Sequence, residues 1–112
     1  MQPIHFQLID WALIEKTNAP GASGTTSSQT LLLPGLRIRI VEYSSGYLAE
    51  HWCQLGHIVY CLEGECTTEM ESGARYLLKQ GMSYVVSDAM SSHRSQTKLG
   101  VKLLIIDGDF LK

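Results

Sequence analysis

Several things are scarce in this chain of 112 residues. There are only three cysteines, an odd number, so a disulfide framework of the kind that staples small secreted domains is excluded. No apolar run approaches the roughly 20 residues needed to cross a bilayer, which removes membrane-spanning functions from consideration. Charge of one sign is also lacking. Nine Lys and Arg stand against eleven Asp and Glu, for a formal charge of −2, and nothing in the order gathers the basic residues into a patch for nucleic acid. The opening "MQPIHFQLIDW" has no basic n-region and carries Asp10, so no secretory signal is expected there. A cytoplasmic setting with reduced thiols is the corresponding expectation.

What is present describes one globular domain with a single core: 45% hydrophobic and 18% charged residues at this length. Turn formers recur every eight to twelve residues, as "APGASG" at 19–24, "PG" at 34–35, "SSG" at 44–46, "EG" at 63–64, "SG" at 72–73, "QG" at 80–81 and "DG" at 107–108. Between them lie "LRIRIVEY", "HIVYCLEG", "RYLLKQG", "SYVVSD" and "KLLIIDGDF", short segments rich in β-branched and aromatic residues. This spacing predicts an all-β fold, an antiparallel sandwich or barrel. "LRIRIVEY" alternates, with Leu36, Ile38 and Ile40 on one face and Arg37 and Arg39 on the other. Residues 9–16 fit either two helical turns or a strand. The small, polar tract 18–30 reads as a flexible loop. The chain is thus expected to comprise an N-terminal portion, 1–35, packing on a barrel of residues 36–112.

The most informative stretch is "EHWCQLGHIVYCLEGE", residues 50–65, which crowds His51, Cys53 and His57 into seven positions. If 50–62 is extended, the period of two places these three on one face with Val59 and Cys61. Trp52, Ile58, Tyr60 and Leu62 then take the other face. A bend near Gly56 would draw His57 back toward the first two donors. His93, in "SDAMSSHRSQT", is the candidate fourth donor, whereas His5 stands in an unrelated context. Imidazole and thiolate donors suit Zn²⁺ and other late first-row metals. Cys61 and Cys66 read as small buried hydrophobes rather than ligands.

These residues resemble a small single-domain cupin. Gly46, His51-Trp52-Cys53 and His57, followed by six residues and Gly64, match the first cupin motif. Gly81, "MSYVV", "SDA" and His93 match the second, with sixteen residues between Gly64 and Gly81. The resemblance covers about residues 36–107. Cys53 replaces the second histidine of the usual pattern and His57 the glutamate; Ser87 and Ala89 replace Pro and Gly, and Thr97 stands where Asn is common. The wording of 50–65 is similar to the subgroup called DHCW-motif cupins. The resemblance implies a double-stranded β-helix, or jelly-roll barrel, of two antiparallel sheets. It also implies a divalent metal held by His51, Cys53, His57 and His93, zinc first, with nickel, iron or manganese as alternatives. A pocket lined by Trp52, Val59, Tyr60, Cys61, Tyr84 and Arg94 would take an unidentified small molecule. A homodimer is expected too, since edge strands need covering. Two functions follow: a metal-dependent enzyme on a small molecule, or a non-catalytic binding or sensing module with a structural metal or none.

Overall fold

The computed structural model describes residues 2–112. Eight strands form two antiparallel sheets that share one long strand. They are β1 (Thr17–Pro20), β2 (Thr25–Leu33), β3 (Leu36–Tyr43), β4 (His57–Met70), β5 (Arg75–Lys79), β6 (Ser83–Val86), β7 (His93–Gln96) and β8 (Val101–Gly108). The first sheet runs β1-β2-β3-β8-β4-β6, and the second is β5-β4-β7. Two single 3₁₀ turns, Trp11–Leu13 and Asp109–Leu111, are the only helical segments among the described residues.

The first half of β4 pairs with β8 and β6, and the second half with β5 and β7. The changeover coincides with a register shift between Cys61 and Glu63. Gly64 follows at φ +77°, and a Cβ there would lie 2.5 Å from the carbonyl oxygen of Gly100. Only glycine tolerates both the left-handed backbone and that approach, so the Glu-Gly pair is the corner on which the barrel folds.

Within the barrel the alternation of side chains sorts two kinds of interior. Along β8, Val101, Leu103, Ile105 and Asp107 point inward and are buried. β4 contributes His57, Val59 and Cys61 in the opposite direction. β3 contributes Arg37, Arg39, Val41 and Tyr43, with Arg37 opposite Asp107 and Val41 opposite Leu103. One end is therefore an apolar core of Val41, Val59, Cys61, Cys66, Leu78, Val101, Leu103 and Ile105. The other end is polar, with Arg37, Arg39, His57 and Asp107 gathered on adjacent strands.

This arrangement makes "LRIRIVEY" unusual. Its arginines face the inside, and Ile38 and Ile40 face outward. The register places Leu31, Ile38, Ile106, Ile58 and Val85 in one row across the outer face of the first sheet. The first four are half-buried by in-plane neighbours and Val85 is exposed.

The tract 18–30 differs from the loop its composition suggests: it forms the β1–β2 hairpin and much of β2. Its serines and threonines are β-compatible, and backbone pairing with β3 over eight residues outweighs the lack of apolar side chains. Residues 9–16 give neither two helical turns nor a strand. A 3₁₀ turn capped by the Asp10 side chain is held by Gln29, whose Nε2 donates to the carbonyls of Trp11 and Ile14 at 2.6 and 2.9 Å.

Candidate metal centre

β4 begins only at His57, so residues 50–56 are not the strand on which the shared-face expectation rests. The segment is instead pinned at one point. Cys53 N donates to the carbonyl of His93 at 2.7 Å, and His93 N donates back to Cys53 at 3.0 Å. Two residues that exchange both bonds stand directly opposite, so their side chains leave the same side of the pair. Three residues later Gly56 is wedged against 86–88, where a Cβ would come within 2.6–2.7 Å of backbone atoms of Val86, Ser87 and Asp88. Its N–H is taken by the Asp88 carboxylate. That close approach starts β4 beside β6 and turns His57 inward.

Cys53, His57 and His93 consequently converge, each offering one donor atom, with those atoms all within 4.8 Å of one another. Cys53 Sγ lies 3.5 Å from His57 Nε2, and the two imidazole rings meet edge-on with centroids 5.6 Å apart. Both histidines are buried. The fourth donor, His93, is thus in place, and the one that does not join them is His51. His51 is 86% exposed at its side chain and sits 3.9 Å from Glu50, pointing into solvent. Without a strand at 50–56, the alternation that aligned it with Cys53 does not operate.

The rings are oriented from behind. His93 Nδ1 is hydrogen-bonded with Ser91 Oγ at 2.8 Å, leaving Nε2 as its free donor atom. His57 Nδ1 lies 3.4 Å from Asp107 Oδ2, an electrostatic contact not aligned as a hydrogen bond. The carboxylate favours a proton on Nδ1, which keeps the Nε2 lone pair toward Cys53. Burial is the main reason that His57 is driven down to about 4, with the Arg39 charge adding to the effect. Burial likewise lowers His93. Both rings are thus neutral at neutral pH, the form that ligates metals.

Asp107 belongs to this site, as do Arg37 and Arg39. Arg37 grips the Asp107 carboxylate with two hydrogen bonds, at 3.0 and 2.9 Å, and Arg39 Nη2 adds a third at 3.3 Å. Burial alone would raise the Asp107 pKa, but the two arginines more than offset it and hold it below the usual carboxylate range. The signal for this cluster was the alternation itself: Asp107 continues the inward parity of Leu103 and Ile105.

The predicted pocket residues separate. Tyr84 packs its ring against His93, with centroids 5.9 Å apart, and lines a cavity of about 550 Å³ that reaches His93. Met70, Leu78, Met82 and Val86 make that cavity largely apolar, and Thr68 contributes a buried hydroxyl without a partner. Val59 and Cys61 lie in the core rather than on the cavity wall. Tyr60 faces outward and is 42% exposed. Trp52 is covered by the Arg94 guanidinium, 4.3 Å from the ring centroid, and Arg94 also reaches Glu69 at 3.4 Å. Arg94 is thus held between Trp52 and Glu69 of β4, with its Nε buried and without a partner.

Solved structures of the cupin fold superpose on nearly the whole chain. A predicted oxalate decarboxylase from Thermotoga maritima matches with a TM-score of 0.76 at 15% identity, covering 91% of this chain and 99% of its own. Ectoine synthase from P. lautus gives 0.72 at 22% identity, over 92% and 78% of the two chains. A cupin-like protein from Thermotoga maritima gives 0.73 at 14%, over 89% and 84%. No family model matches the sequence, and a search of curated proteins finds no match. The protein therefore has the cupin fold, a jelly-roll barrel of two antiparallel sheets, and at these identities the likeness defines the fold alone. Such a fold carries many chemistries, so function has to be argued from the site.

Proposed function

We propose that the chain binds one divalent metal, zinc first, through Cys53, His57 and His93, and acts as a metal-dependent enzyme on a small molecule. The observation that carries this is the convergence of three buried donors, two imidazoles and a thiol, within 4.8 Å. The spacing suits the ion. Zinc bonds of about 2.3 Å to sulfur and about 2.05 Å to nitrogen at a tetrahedral angle set the two donors roughly 3.6 Å apart. Cys53 Sγ and His57 Nε2 are separated by 3.5 Å. Three protein ligands leave a coordination position open, the arrangement of catalytic rather than structural zinc. A cation so held supplies Lewis acidity or lowers the pKa of a bound water. The protein's part is to fix the rings through Asp107 and Ser91 and to offer the cavity beside His93.

The 3.5 Å separation is also that of a thiol–imidazole hydrogen bond. It supports a second reading, a non-catalytic small-molecule-binding module without metal. Elemental analysis of untagged protein purified without added metal separates the two. About one divalent ion per chain is expected in the wild type and in His51→Ala, and well below that in Cys53→Ser, His57→Ala and His93→Ala. Metal retained by Cys53→Ser would remove the thiolate from the site, and none in the wild type would leave the binding-module reading.

Three free thiols fit a reducing, cytoplasmic setting. The outer row Leu31, Ile38, Ile58, Val85 and Ile106 fits a homodimer face, to be tested by light scattering of wild type and Ile106→Glu. The likeness of residues 50–65 to DHCW-motif cupins is part of the same proposal.

A further inference from the structure

The inner end of the barrel carries unbalanced charge. Two guanidiniums, Arg37 and Arg39, meet a single carboxylate, Asp107, which leaves one positive charge in excess. Arg37 is satisfied by its two-pronged contact. Arg39 is not: only Nη2 reaches Asp107, at 3.3 Å, and its Nε is buried without any partner. A buried charged donor left unpaired is costly, so it signals a group that arrives from outside.

That donor stands beside the metal candidates. One oxygen of Asp107, Oδ2, is shared between Arg39 Nη2 at 3.3 Å and His57 Nδ1 at 3.4 Å. The imbalance survives loading. With Cys53 as a thiol and no metal the excess is one positive charge. With a thiolate and a divalent cation it rises to two.

We infer that the small molecule received here is an anion, a carboxylate held by the guanidinium of Arg39 next to the Cys53, His57 and His93 donors. The inference deepens the small-molecule reading above and does not require the metal. A planar carboxylate matches the fork of an arginine and brings the single charge that the metal-free site lacks. In the metal-free site a phosphate dianion would exceed that charge, and in either state it carries a larger desolvation cost into a half-buried site. The apolar cavity that reaches His93, lined by Met70, Leu78, Met82 and Val86 and not by Arg39, would take an apolar body extending past that histidine.

The probes are benzoate and benzamide, alike in shape and different in charge, titrated into the purified protein and followed by calorimetry and by the Arg39 Nε–H resonance. Benzoate is expected to bind at least tenfold more tightly than benzamide and to shift that resonance. Arg39→Gln should abolish the difference, and Arg39→Lys should keep part of it. Equal binding of the two probes by the wild type overturns the inference without recourse to any variant. So does a preference for benzoate that survives in Arg39→Gln, or inorganic phosphate binding more tightly than benzoate. The metal content of the untreated protein, measured in parallel, separates this from the metal reading. Benzoate selectivity without bound metal leaves the anion site standing and the metal centre fallen, and metal without selectivity does the reverse.

Discussion

Asp107→Asn tests the ionic cluster directly. The wild-type carboxylate is buried, accepts hydrogen bonds from Arg37 at 3.0 and 2.9 Å and from Arg39 at 3.3 Å, and stands 3.4 Å from His57. Asparagine keeps the shape but removes the charge, so two neighbouring guanidiniums lose the counter-ion they share. Removing one partner of a fully buried pair costs about 3–5 kcal/mol. Here the arginine side chains remain 35% and 23% exposed, so solvent relieves part of the penalty. A loss of about 2–3 kcal/mol follows once that screening is allowed for. In a chain of this size it lowers Tm by roughly 8–12 °C. The pH dependence provides a second readout. Asp107 is held below its unfolded pKa, so its contribution is complete above about pH 4 and is lost as pH falls through the folded value. Urea denaturation of wild type and variant should therefore give curves well separated at pH 7 that draw together as pH falls below about 4. A difference under about 1 kcal/mol at pH 7, or one undiminished in acid, would refute the reasoning.

Ala89→Gly should stabilise the protein by about 0.5–1 kcal/mol, because Ala89 holds φ +62° and glycine removes that strain. A Tm that does not rise would show that the 87–89 turn relaxes at no cost. Gly56→Ala forces a Cβ into the backbone of 86–88, and a loss of about 1–3 kcal/mol with weakened metal binding is expected. Wild-type metal affinity after this substitution would mean that Gly56 does not place His57. Lowered pKa values at His57, about 4, and at His93 mean that the unfolded chain takes up protons first as pH drops below about 6.5. Stability should fall between pH 6.5 and 4 by up to about 1.4 kcal/mol per pH unit for His57, with His93 adding to the loss below about 6.5, and His57→Phe should flatten that slope.

Much of the fold was readable because β-branched segments and turn residues alternate so regularly. β3, the first half of β4, β5, β6 and β8 coincide with the segments named from composition. β1, β2 and β7 were not legible, since "TNAP", "TTSSQT" and "HRSQ" look like loop and become strands only through their partners. In the site, Cys53 and His93 meet through a backbone pairing that joins residues forty positions apart, and the cupin spacing was the only sign of it. His51 stands apart from the other three donors because β4 begins only at His57, and the period of two does not reach back to it. That Arg37, Arg39 and Asp107 point inward is not legible for a related reason. An alternating apolar–basic strand is ordinarily read with its apolar face inward, and here the barrel interior takes the charges.

That inversion bears on what the barrel is for. A closed β-barrel of this size gains most from filling its interior with apolar side chains, as Val59, Cys61, Leu103 and Val41 do at one end. At the other end the same four-strand interior is given to two arginines, an aspartate and two histidines, each of which costs desolvation that apolar residues of similar volume would avoid. Their geometry leaves specific atoms unpaired: Arg39 Nε, His57 Nδ1 and, across the cavity, Thr68 Oγ1. A cluster kept only for fold stability would close its own hydrogen bonds, as the Arg37–Asp107 contact does. The polar half of the barrel thus combines a self-satisfied Arg37–Asp107 contact with neighbouring donors that a ligand would complete.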